Sequence, residues 1–474
     1  MMAPDDPDSP MNWPLYRRIY ASMAAFFFAW IVTFTATSYT AAIPDITTEF
    51  NVTVPVAVLG LALYLFGVFF APIITPHLSE SFGRSLVYLI SLPISSLFII
   101  GVGFSNTFAS LAVCRFFAGL FAGPSVVLIE GTFADIWSAE TTNTYYSFLG
   151  FAQYLGAACG PLILNFIVPA TSWRWTQYVP LMFTLAALLF GIGIPETYQR
   201  EILRRRARRH NKPIQLAPAG SGETMKERVQ VTVLDPLNML VTEPLVIGVT
   251  LYLGLNFAVV FQWFITVPVV LSSVYDFRPQ QIGLAFISAI VGGVCAVVTS
   301  IAFETVSNGV LRKRYGNGMV PIEHRLYPAM VGSFAIVASL FWVGWTADPM
   351  VSSYVPITGT GFYVYGNLCV LISLIPYIFD AYPPPGTLAA LTLMACFRLA
   401  CAGVVPLVVF YMFNNLTGAW ALSTFGFISA PFILLPFAMF KFGPALRARS
   451  KFSNAGAMAT GWKKEHEEGA EMTA

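Results

Sequence analysis

The chain has 474 residues, of which 56% are hydrophobic and only 11% are charged, and its formal net charge is +2. This composition excludes an ordinary soluble domain, in which about a quarter of the residues are charged. The total charge predicts little, because in a membrane protein the positions of the charges matter more than their sum. We therefore interpret the chain as a polytopic membrane protein.

The chain begins with a polar segment that does not read as a signal peptide. Residues 1–18 hold three aspartates and lack both the cationic start and the small-residue cleavage site of a secretory signal. The first apolar run is therefore expected to remain in the protein as a span. Residues 1–18 are then a cytoplasmic N-terminal tail.

Twelve apolar runs follow, each about twenty residues long, which is enough for a helix to cross a bilayer. The first six lie at residues 19–43, 55–78, 86–104, 108–133, 143–168 and 176–195. The other six lie at residues 243–268, 279–303, 326–346, 351–378, 387–411 and 418–440. We predict an all-α membrane protein with twelve transmembrane helices in two six-helix bundles, 19–195 and 243–440, and a cytoplasmic C-terminal tail at 441–474.

A cationic cluster separates the two sets of runs. Seven Lys and Arg residues lie from Arg200 to Lys212, inside a polar segment at residues 196–242 that we predict to be a cytoplasmic loop. With both chain ends on that side, 22 of the 26 Lys and Arg residues are cytoplasmic, two are external and two lie in spans. Two sequons, at Asn51 and Asn415, then fall in external loops and are candidate glycosylation sites.

Three charged residues lie inside predicted spans, where a charge costs at least about 2.5 kcal/mol and needs a cavity or a partner. Arg115 and Arg398 each have two interpretations: a cation that lines the transport path, or a buried arginine bound to backbone carbonyls. Glu130 is either a proton carrier or a static partner of a cation such as Arg84. The sequence leaves these alternatives open.

Polar and aromatic residues in the spans suggest a substrate cavity between helices. Any one of them is more often a contact between helices than a ligand contact, so both interpretations stand. Together they suit an amphiphilic organic solute better than a bare ion. The cavity candidates are Thr33, Thr37, Thr40, Gln153, Asn256, Trp263, Tyr363, Asn367 and Arg398.

The fifth span contains a ladder of small residues, Ala152, Gly156 and Gly160, followed directly by Pro161. Such a ladder lets two helix backbones approach, because no large side chain separates them. The proline allows the helix to bend. We expect this helix to pack tightly or to flex as the protein changes state.

The loop between the second and third spans carries a motif. It reads Ala71-Pro-Ile-Ile-Thr-Pro-His-Leu-Ser-Glu80-Ser-Phe-Gly83-Arg84 and resembles the signature loop of the major facilitator superfamily. Its Leu-Ser-Glu ahead of Gly-Arg is similar to that of fungal twelve-span drug:proton antiporters. Further matches, in the same order along the chain, are Arg115, Asp135 with Trp137, Gly156 to Pro161, Ser172 to Trp175, Pro195 to Tyr198, Glu323 to Leu326, Asp380 to Tyr382, and Arg449 to Phe452.

The resemblance implies a cytoplasmic gate made of Glu80, Gly83, Arg84 and Asp135. Gly83 allows a tight turn, and Glu80 and Arg84 place opposite charges at helix ends. Asp135, at the cytoplasmic end of the fourth span, is the natural partner of Arg84. By resemblance, this cluster holds the cytoplasmic side closed while the protein is open to the outside.

The resemblance also implies that Arg115 couples proton movement to substrate movement. Glu130 stands where the family usually has a small residue, and we interpret it as sharing this proton chemistry. Leu164 and Asn165 replace the glycine pair that completes the fifth-span antiporter motif, so the direction of coupling stays open. Ile265 lies where polyamine-exporting relatives often have an acid, which argues against a polycationic substrate.

Enzyme motifs are missing from the sequence: it has no Walker loop, no serine, cysteine or zinc constellation and no dinucleotide fingerprint. We predict no enzyme activity, cofactor, metal or nucleic-acid partner. The predicted function is a proton-coupled secondary transporter that exports drugs, toxins or secondary metabolites by alternating access, as a monomer among the lipids of the plasma membrane. The alternatives are a proton symporter that imports a nutrient or organic acid, a non-transporting receptor on the same scaffold, and a vacuolar or other internal membrane.

Overall fold

The computed structural model describes residues 6–137, 142–209, 230–315, 321–382, 386–450 and 452. The regular elements in these ranges are helices, and no strand occurs among the described residues. Helices suit a chain that crosses lipid, because each helix satisfies the hydrogen bonds of its own backbone.

Twelve apolar helices run through the described part of the chain, in the order predicted, which confirms the all-α fold. Ten are long and apolar enough to cross a bilayer. An eleventh crossing consists of two helices joined by a 42° bend, and one apolar helix of 17 residues is shorter. We number them α1 to α12: Leu15–Glu49, Val54–Phe69 with Ala71–Phe82, Arg84–Gly103, Phe108–Ile136, Thr144–Ala170, Trp175–Gly191, Pro244–Tyr275, Pro279–Val306, Ile322–Thr346, Tyr354–Ala381, Gly386–Phe413 and Gly418–Arg449.

Local sequence signals explain where these helices start, bend and stop. α4 starts after Thr107, whose hydroxyl oxygen accepts a hydrogen bond from the backbone N–H of Ser110. α2 bends at Phe70, because Pro72 lacks the N–H that would continue the helical hydrogen bonds. α2 ends at Gly83, whose φ of 85° favours glycine over any residue with a side chain. The bend and the turn both shape the site described below.

The small-residue ladder of α5 packs against α1. A Cβ atom on Gly156 would lie 2.3 Å from the hydroxyl oxygen of Thr33, and one on Gly160 would lie 2.3 Å from that of Thr37. No larger side chain fits at either position unless α1 moves. The close packing of α1 against α5 therefore depends on the two glycines of α5, which have no side chains to separate the helices.

The first six helices meet the last six along two seams. α5 packs on α8, where a Cβ atom on Gly283 would lie 3.1 Å from the backbone oxygen of Leu162. Pro161 lies beside this seam, inside the continuous helix. α2 packs on α11, where the Cys396 thiol donates to the backbone oxygen of Phe69 at 3.5 Å. The space between the two seams contains the candidate site.

Charged segments gather at one face of the helical bundle, which we call the basic face. It carries the linker helix Gln199–Arg209, which contains six arginines. Asp6 is joined to this helix by a 2.8 Å ion pair with Arg206. Trp13 is 4% exposed and packs against Ile136 at the end of α4. The described part of the N-terminal segment is thus fixed to the basic face.

The opposite face has fewer charges. Arg174 pairs with Glu49 there at 2.7 Å. Both sequon asparagines lie in connections at this face and are exposed, Asn51 before α2 and Asn415 after α11. The amide nitrogen of Asn415 donates to the backbone oxygen of Tyr411 at 2.8 Å. Glycosylation at either position stays a prediction.

Candidate functional site

The structure brings two of the predicted gate residues together at the basic face. Arg84 is the first residue of α3, and Asp135 is the penultimate residue of α4. Arg84 Nε lies 3.0 Å from Asp135 Oδ2, and Arg84 Nη2 donates to Asp135 Oδ1 at 3.0 Å. The two side chains are only 14% and 17% exposed. This ion pair, with one hydrogen bond from Arg84 Nη2, holds the ends of α3 and α4 together.

Glu196 is a third member of this cluster that the sequence analysis did not identify. Its carboxylate accepts hydrogen bonds from the backbone N–H of Arg84 at 2.9 Å and from the Ser85 hydroxyl at 2.8 Å, and it pairs with Arg205 at 3.3 Å. A negative charge at the start of α3 is favourable, because free N–H groups point out of a helix N-terminus. The signal in the sequence was the match at Pro195 to Tyr198.

Glu80 lies in the last turn of α2, at the helix end where the sequence places it. Its carboxylate forms no ion pair with a described residue, and its backbone oxygen accepts a 3.4 Å hydrogen bond from Arg204. Glu196 instead supplies the negative charge beside Arg84, because the turn at Gly83 faces its carboxylate. A Cβ atom on Gly83 would lie 2.3 Å from Glu196 Oε2.

The second set of six helices repeats the cluster. Arg325, near the start of α9, pairs with Asp380 at the end of α10 at 3.0 Å. Arg447 of α12 pairs with Glu323 beside them. Each half of the protein therefore joins the start of its third helix to the end of its fourth through an Arg–Asp pair at the same face.

Arg115 of α4 is sealed inside the first half. Its side chain is 0% exposed and lies between two aromatic rings, with Cζ 4.4 Å from the centre of Tyr39 and 4.8 Å from that of Tyr64. Its Nε, Nη1 and Nη2 donate to the backbone oxygens of Gly60, Thr35 and Ala36 at 3.1, 3.3 and 3.2 Å. This geometry is that of a buried arginine bound to carbonyls, the second of the two interpretations.

A vestibule of about 220 Å³ lies between α2 and α4 of the first half and α10 and α11 of the second. Arg84 lines it near the basic face, and Arg398 lines it at a depth of about 18 Å along α11. Glu130 lies between them. The rest of the wall is mostly apolar and includes Val68, Pro72, Val126, Leu128, Phe379, Leu388, Leu391 and Leu399.

Glu130 and Arg398 face each other across the two halves. Arg398 Nη2 lies 3.9 Å from Glu130 Oε1, and the two side chains are 7% and 23% exposed. The Arg398 guanidinium also lies over the ring of Phe257 at 4.8 Å. Its Nε is buried and has no hydrogen-bond partner among the described residues. The partner of Glu130 is thus Arg398 and not Arg84.

Glu130 also lines a second cavity of about 150 Å³. This cavity lies nearer the N-terminal segment and is bounded by Met11, Tyr146 and Asp380 as well. Glu130 is therefore reached from two compartments, whereas Arg398 borders only the first of them. Of the two charged groups, the acid is the more accessible.

A hydrogen-bond network lies behind the pair. The Tyr154 hydroxyl of α5 donates to Asn367 Oδ1 of α10 at 2.5 Å, which joins the two halves. Asn367 Nδ2 and the Tyr363 hydroxyl both donate to the backbone oxygen of Asn256 at 3.0 Å. Trp263 packs on Tyr363 with ring centres 5.8 Å apart. These predicted cavity residues bind one another.

The other predicted cavity residues lie outside the vestibule. Thr33, Thr37 and Thr40 donate their hydroxyls to carbonyls one turn earlier in α1. Two of them pack on the α5 glycines, so this face is a helix contact and does not line the vestibule. Gln153 is 6% exposed, and its amide nitrogen has no partner within the described ranges. Arg398 alone among the nine candidates lines the vestibule.

The sequence matches the profile of the Major Facilitator Superfamily over residues 25–402. It is 29% identical to "Polyamine transporter 4" of Saccharomyces cerevisiae, in an alignment that covers 95% of this chain and 72% of the yeast protein. It is 28% identical to "Cycloheximide resistance protein" of Candida maltosa, with 95% of this chain and 84% of that protein covered.

Among solved structures, the fold is similar to the proton:xylose symporter XylE bound to 6-bromo-6-deoxy-D-glucose, with a TM-score of 0.65. The match covers 91% of this chain and 96% of that one, at 14% sequence identity. At this identity the likeness establishes a shared fold.

Proposed function

This chain belongs to the major facilitator superfamily, and we propose that it is a proton-coupled exporter of small organic compounds. The family moves small organic substrates, often with protons, and the proteins compared above are transporters and not enzymes. The chain is therefore a multi-span membrane transporter. Export is supported by the similarity to the Cycloheximide resistance protein of Candida maltosa, since resistance to a toxic compound is an expected result of its removal from the cell.

The observation that carries proton coupling is the Glu130–Arg398 pair. Glu130 is the acid that a solute in the vestibule meets, and its carboxylate makes no hydrogen bond with a described residue. A solute that donates a hydrogen bond to this carboxylate competes with a proton for the same oxygens. Two ligands that compete for one site move in opposite directions when the site faces each side in turn. If the solute and the proton compete for Glu130, binding of one disfavours binding of the other, and antiport requires this negative coupling.

We assign the basic face to the cytoplasm, because it carries the linker helix with its six arginines. In the sequence, 22 of the 26 Lys and Arg residues fall in segments predicted on that side. The vestibule is then the cytoplasmic entrance, and the Tyr154–Asn367 bond joins the halves beyond it. Rocking the halves requires that this bond and the Glu130–Arg398 contact break. The Arg84–Asp135–Glu196 cluster joins residues of the first half only, so its role as a cytoplasmic gate stays a prediction from the family resemblance. The plasma membrane is the proposed location.

Arg115 enters this scheme as a positioning residue. It ties α1, α2 and α4 together through backbone carbonyls and does not border the vestibule. It therefore acts on coupling through the placement of α4, the helix that carries Glu130. A direct role of Arg115 in proton movement stays a prediction from the family resemblance.

One observation favours a second candidate function, proton symport of an organic acid. An anion that binds the Arg398 guanidinium in the vestibule would draw this cation away from Glu130. Glu130 would then hold a proton more readily, so the anion and the proton would bind together. The sign of coupling therefore depends on which of the two charged groups the solute engages.

The experiment that separates these functions uses inside-out vesicles and a panel of labelled organic compounds. An antiporter accumulates its substrate when the vesicle lumen is acidified, and a symporter is opposed by the same gradient. Vesicles with Glu130→Gln are the matched control and should lose the response to the gradient. Accumulation that ignores the gradient in the unmodified protein would reject proton coupling.

A further inference from the structure

Two opposite charges face the same small vestibule at a separation that leaves both incompletely satisfied. Arg398 Nη2 and Glu130 Oε1 are 3.9 Å apart, which is an ion pair but not a hydrogen bond. From this geometry we propose that the pair selects uncharged, compact amphiphiles that carry a hydrogen-bond donor. This specificity rests on the proposed function, since it takes the vestibule to be the substrate cavity.

Charge balance disfavours ionic solutes of either sign. A cation that approaches Glu130 comes within a few ångströms of Arg398, and an anion that approaches Arg398 meets Glu130 in the same way. A third full charge has no counter-charge left in this pair, and the like-charge contact is costly because the surrounding wall is apolar. Arg84, the other cation at the vestibule, is already neutralised by Asp135.

An uncharged solute meets no such penalty and finds hydrogen-bonding capacity on both groups. The more exposed Glu130 carboxylate, 23% exposed, accepts from a hydroxyl or an N–H. The Arg398 guanidinium lines the same vestibule and can donate to a second, acceptor group of the solute. An O–H or N–H on an apolar body therefore satisfies the site without adding charge.

The wall and the volume define the body of the solute. Val68, Val126, Leu391, Leu399 and Phe379 present hydrocarbon to the vestibule. The volume of about 220 Å³ is below the range of about 300–1,000 Å³ that drug-sized ligands usually occupy. A single aromatic ring with a short alkyl group fits this description, and an extended polycation does not.

The test uses three probes that share one body and differ in head group: 4-ethylphenol, 4-ethylbenzylamine and 4-ethylbenzoate. At pH 7 they are neutral, cationic and anionic. Their binding to the purified full-length protein in detergent is measured by titration calorimetry, and the set is repeated with a butyl body. We expect the phenol to bind at least about tenfold tighter than either ion.

Removing one charge should reverse the preference in a defined direction. In Arg398→Met the uncompensated Glu130 should make the amine the tightest of the three probes. In Glu130→Met the uncompensated Arg398 should make the carboxylate the tightest. Gly309→Ala, which lies outside the vestibule lining and has nothing within 4 Å of its added Cβ, should keep the order of the unmodified protein. The double variant Glu130→Met with Arg398→Met keeps the site neutral and should remain folded if a single variant does not.

The proposal is overturned if either single variant keeps the rank order of the unmodified protein, or if the folded protein binds both ions as well as the phenols. Failure of every phenol to bind a protein with a normal melting curve overturns it too. Proton-driven flux of the phenol in proteoliposomes is measured separately. Proton-driven flux of the phenol without a reversed order of probe affinities in the single variants would support the transport function and reject the proposed selectivity of the Glu130–Arg398 pair.

Discussion

Arg115 and Arg398 both lie deep inside membrane helices of this protein, and their surroundings are opposite in kind. Arg115 is 0% exposed, with all three of its nitrogens bonded to carbonyls and an aromatic ring on each side. Arg398 lies between the halves, with one nitrogen lacking a partner among the described residues and a carboxylate at 3.9 Å. A fully satisfied cation stabilises one arrangement of helices, whereas an incompletely satisfied one has interactions left for a ligand.

The difference also follows from where each arginine lies relative to the moving parts. The partners of Arg115 all belong to α1 and α2 of its own half. The partner of Arg398 belongs to the opposite half, so rocking the halves changes this contact. The first arginine is therefore expected to act on stability and the second on transport.

The largest effect is expected for Arg115→Met. The substitution leaves three buried carbonyls without their donor, at about 1–3 kcal/mol each, so unfolding should become easier by about 3 kcal/mol or more. The thermal midpoint and the yield of monodisperse protein in detergent measure this. Arg398→Met is the matched control and should lower the midpoint less, because Arg398 makes no hydrogen bond with a described residue and loses only the 3.9 Å contact with Glu130 and the ring contact with Phe257. An Arg115→Met variant that melts normally but moves no substrate would contradict the assignment of Arg115 to stability and not to transport.

The next effect concerns Glu130→Gln. If solute and proton compete for Glu130, solute affinity falls by up to about tenfold for each pH unit of acidification, since one proton is exchanged for one solute. The glutamine cannot take up that proton, so its affinity should not change with pH. Binding titrations from pH 5 to pH 8 check this. An unchanged profile in Glu130→Gln would make Glu130 a structural residue.

A smaller effect is expected where α1, the helix held by Arg115, meets α5. A methyl group at Gly156 would lie 2.3 Å from Thr33 Oγ1, so Gly156→Ala should destabilise the protein by about 1–3 kcal/mol. Gly309→Ala is the control, because nothing lies within 4 Å of its added Cβ. If both variants have the same melting temperature, the contact between α1 and α5 contributes less to stability than its geometry indicates.

The smallest effect is expected for the gate pair, because Arg84 and Asp135, at 14% and 17% exposed, are more exposed than Arg115 or Arg398. Arg84→Ala and Asp135→Asn should impair transport by similar factors, because each removes the same contact. The double variant should be little worse, with a coupling energy of about 0.5–3 kcal/mol. Rates in proteoliposomes supply the double-mutant cycle, and additive losses would show that the two residues act independently.

The fold was largely predictable, because it depends on features that can be recognised along the sequence. The length and apolarity of each run locate a span, and the cations in the connections indicate on which side of the membrane each connection lies. The turn at Gly83 and the bend before Pro72 are equally local. The Arg84–Asp135 contact was predictable too, because the resemblance placed both residues at ends of neighbouring helices.

The site was less predictable, because its members are defined by packing between helices distant in sequence. The sequence could not distinguish Arg115 from Arg398, since the carbonyls that satisfy Arg115 lie on two other helices and leave no mark in the chain. The threonines of α1 looked like a polar lining, but their hydroxyls bond within their own helix, and glycines of α5 pack against two of them. Glu130 and Arg398 are 268 residues apart, and only the assembled halves bring them together.

The most direct test of the account is to count protons when a solute binds to the purified protein in weakly buffered detergent, with a pH indicator and 4-ethylphenol as the probe. We predict the release of up to one proton per bound probe from the unmodified protein and from Arg115→Lys, and none from Glu130→Gln. Release that persists in Glu130→Gln, or proton uptake by the unmodified protein, would contradict the account.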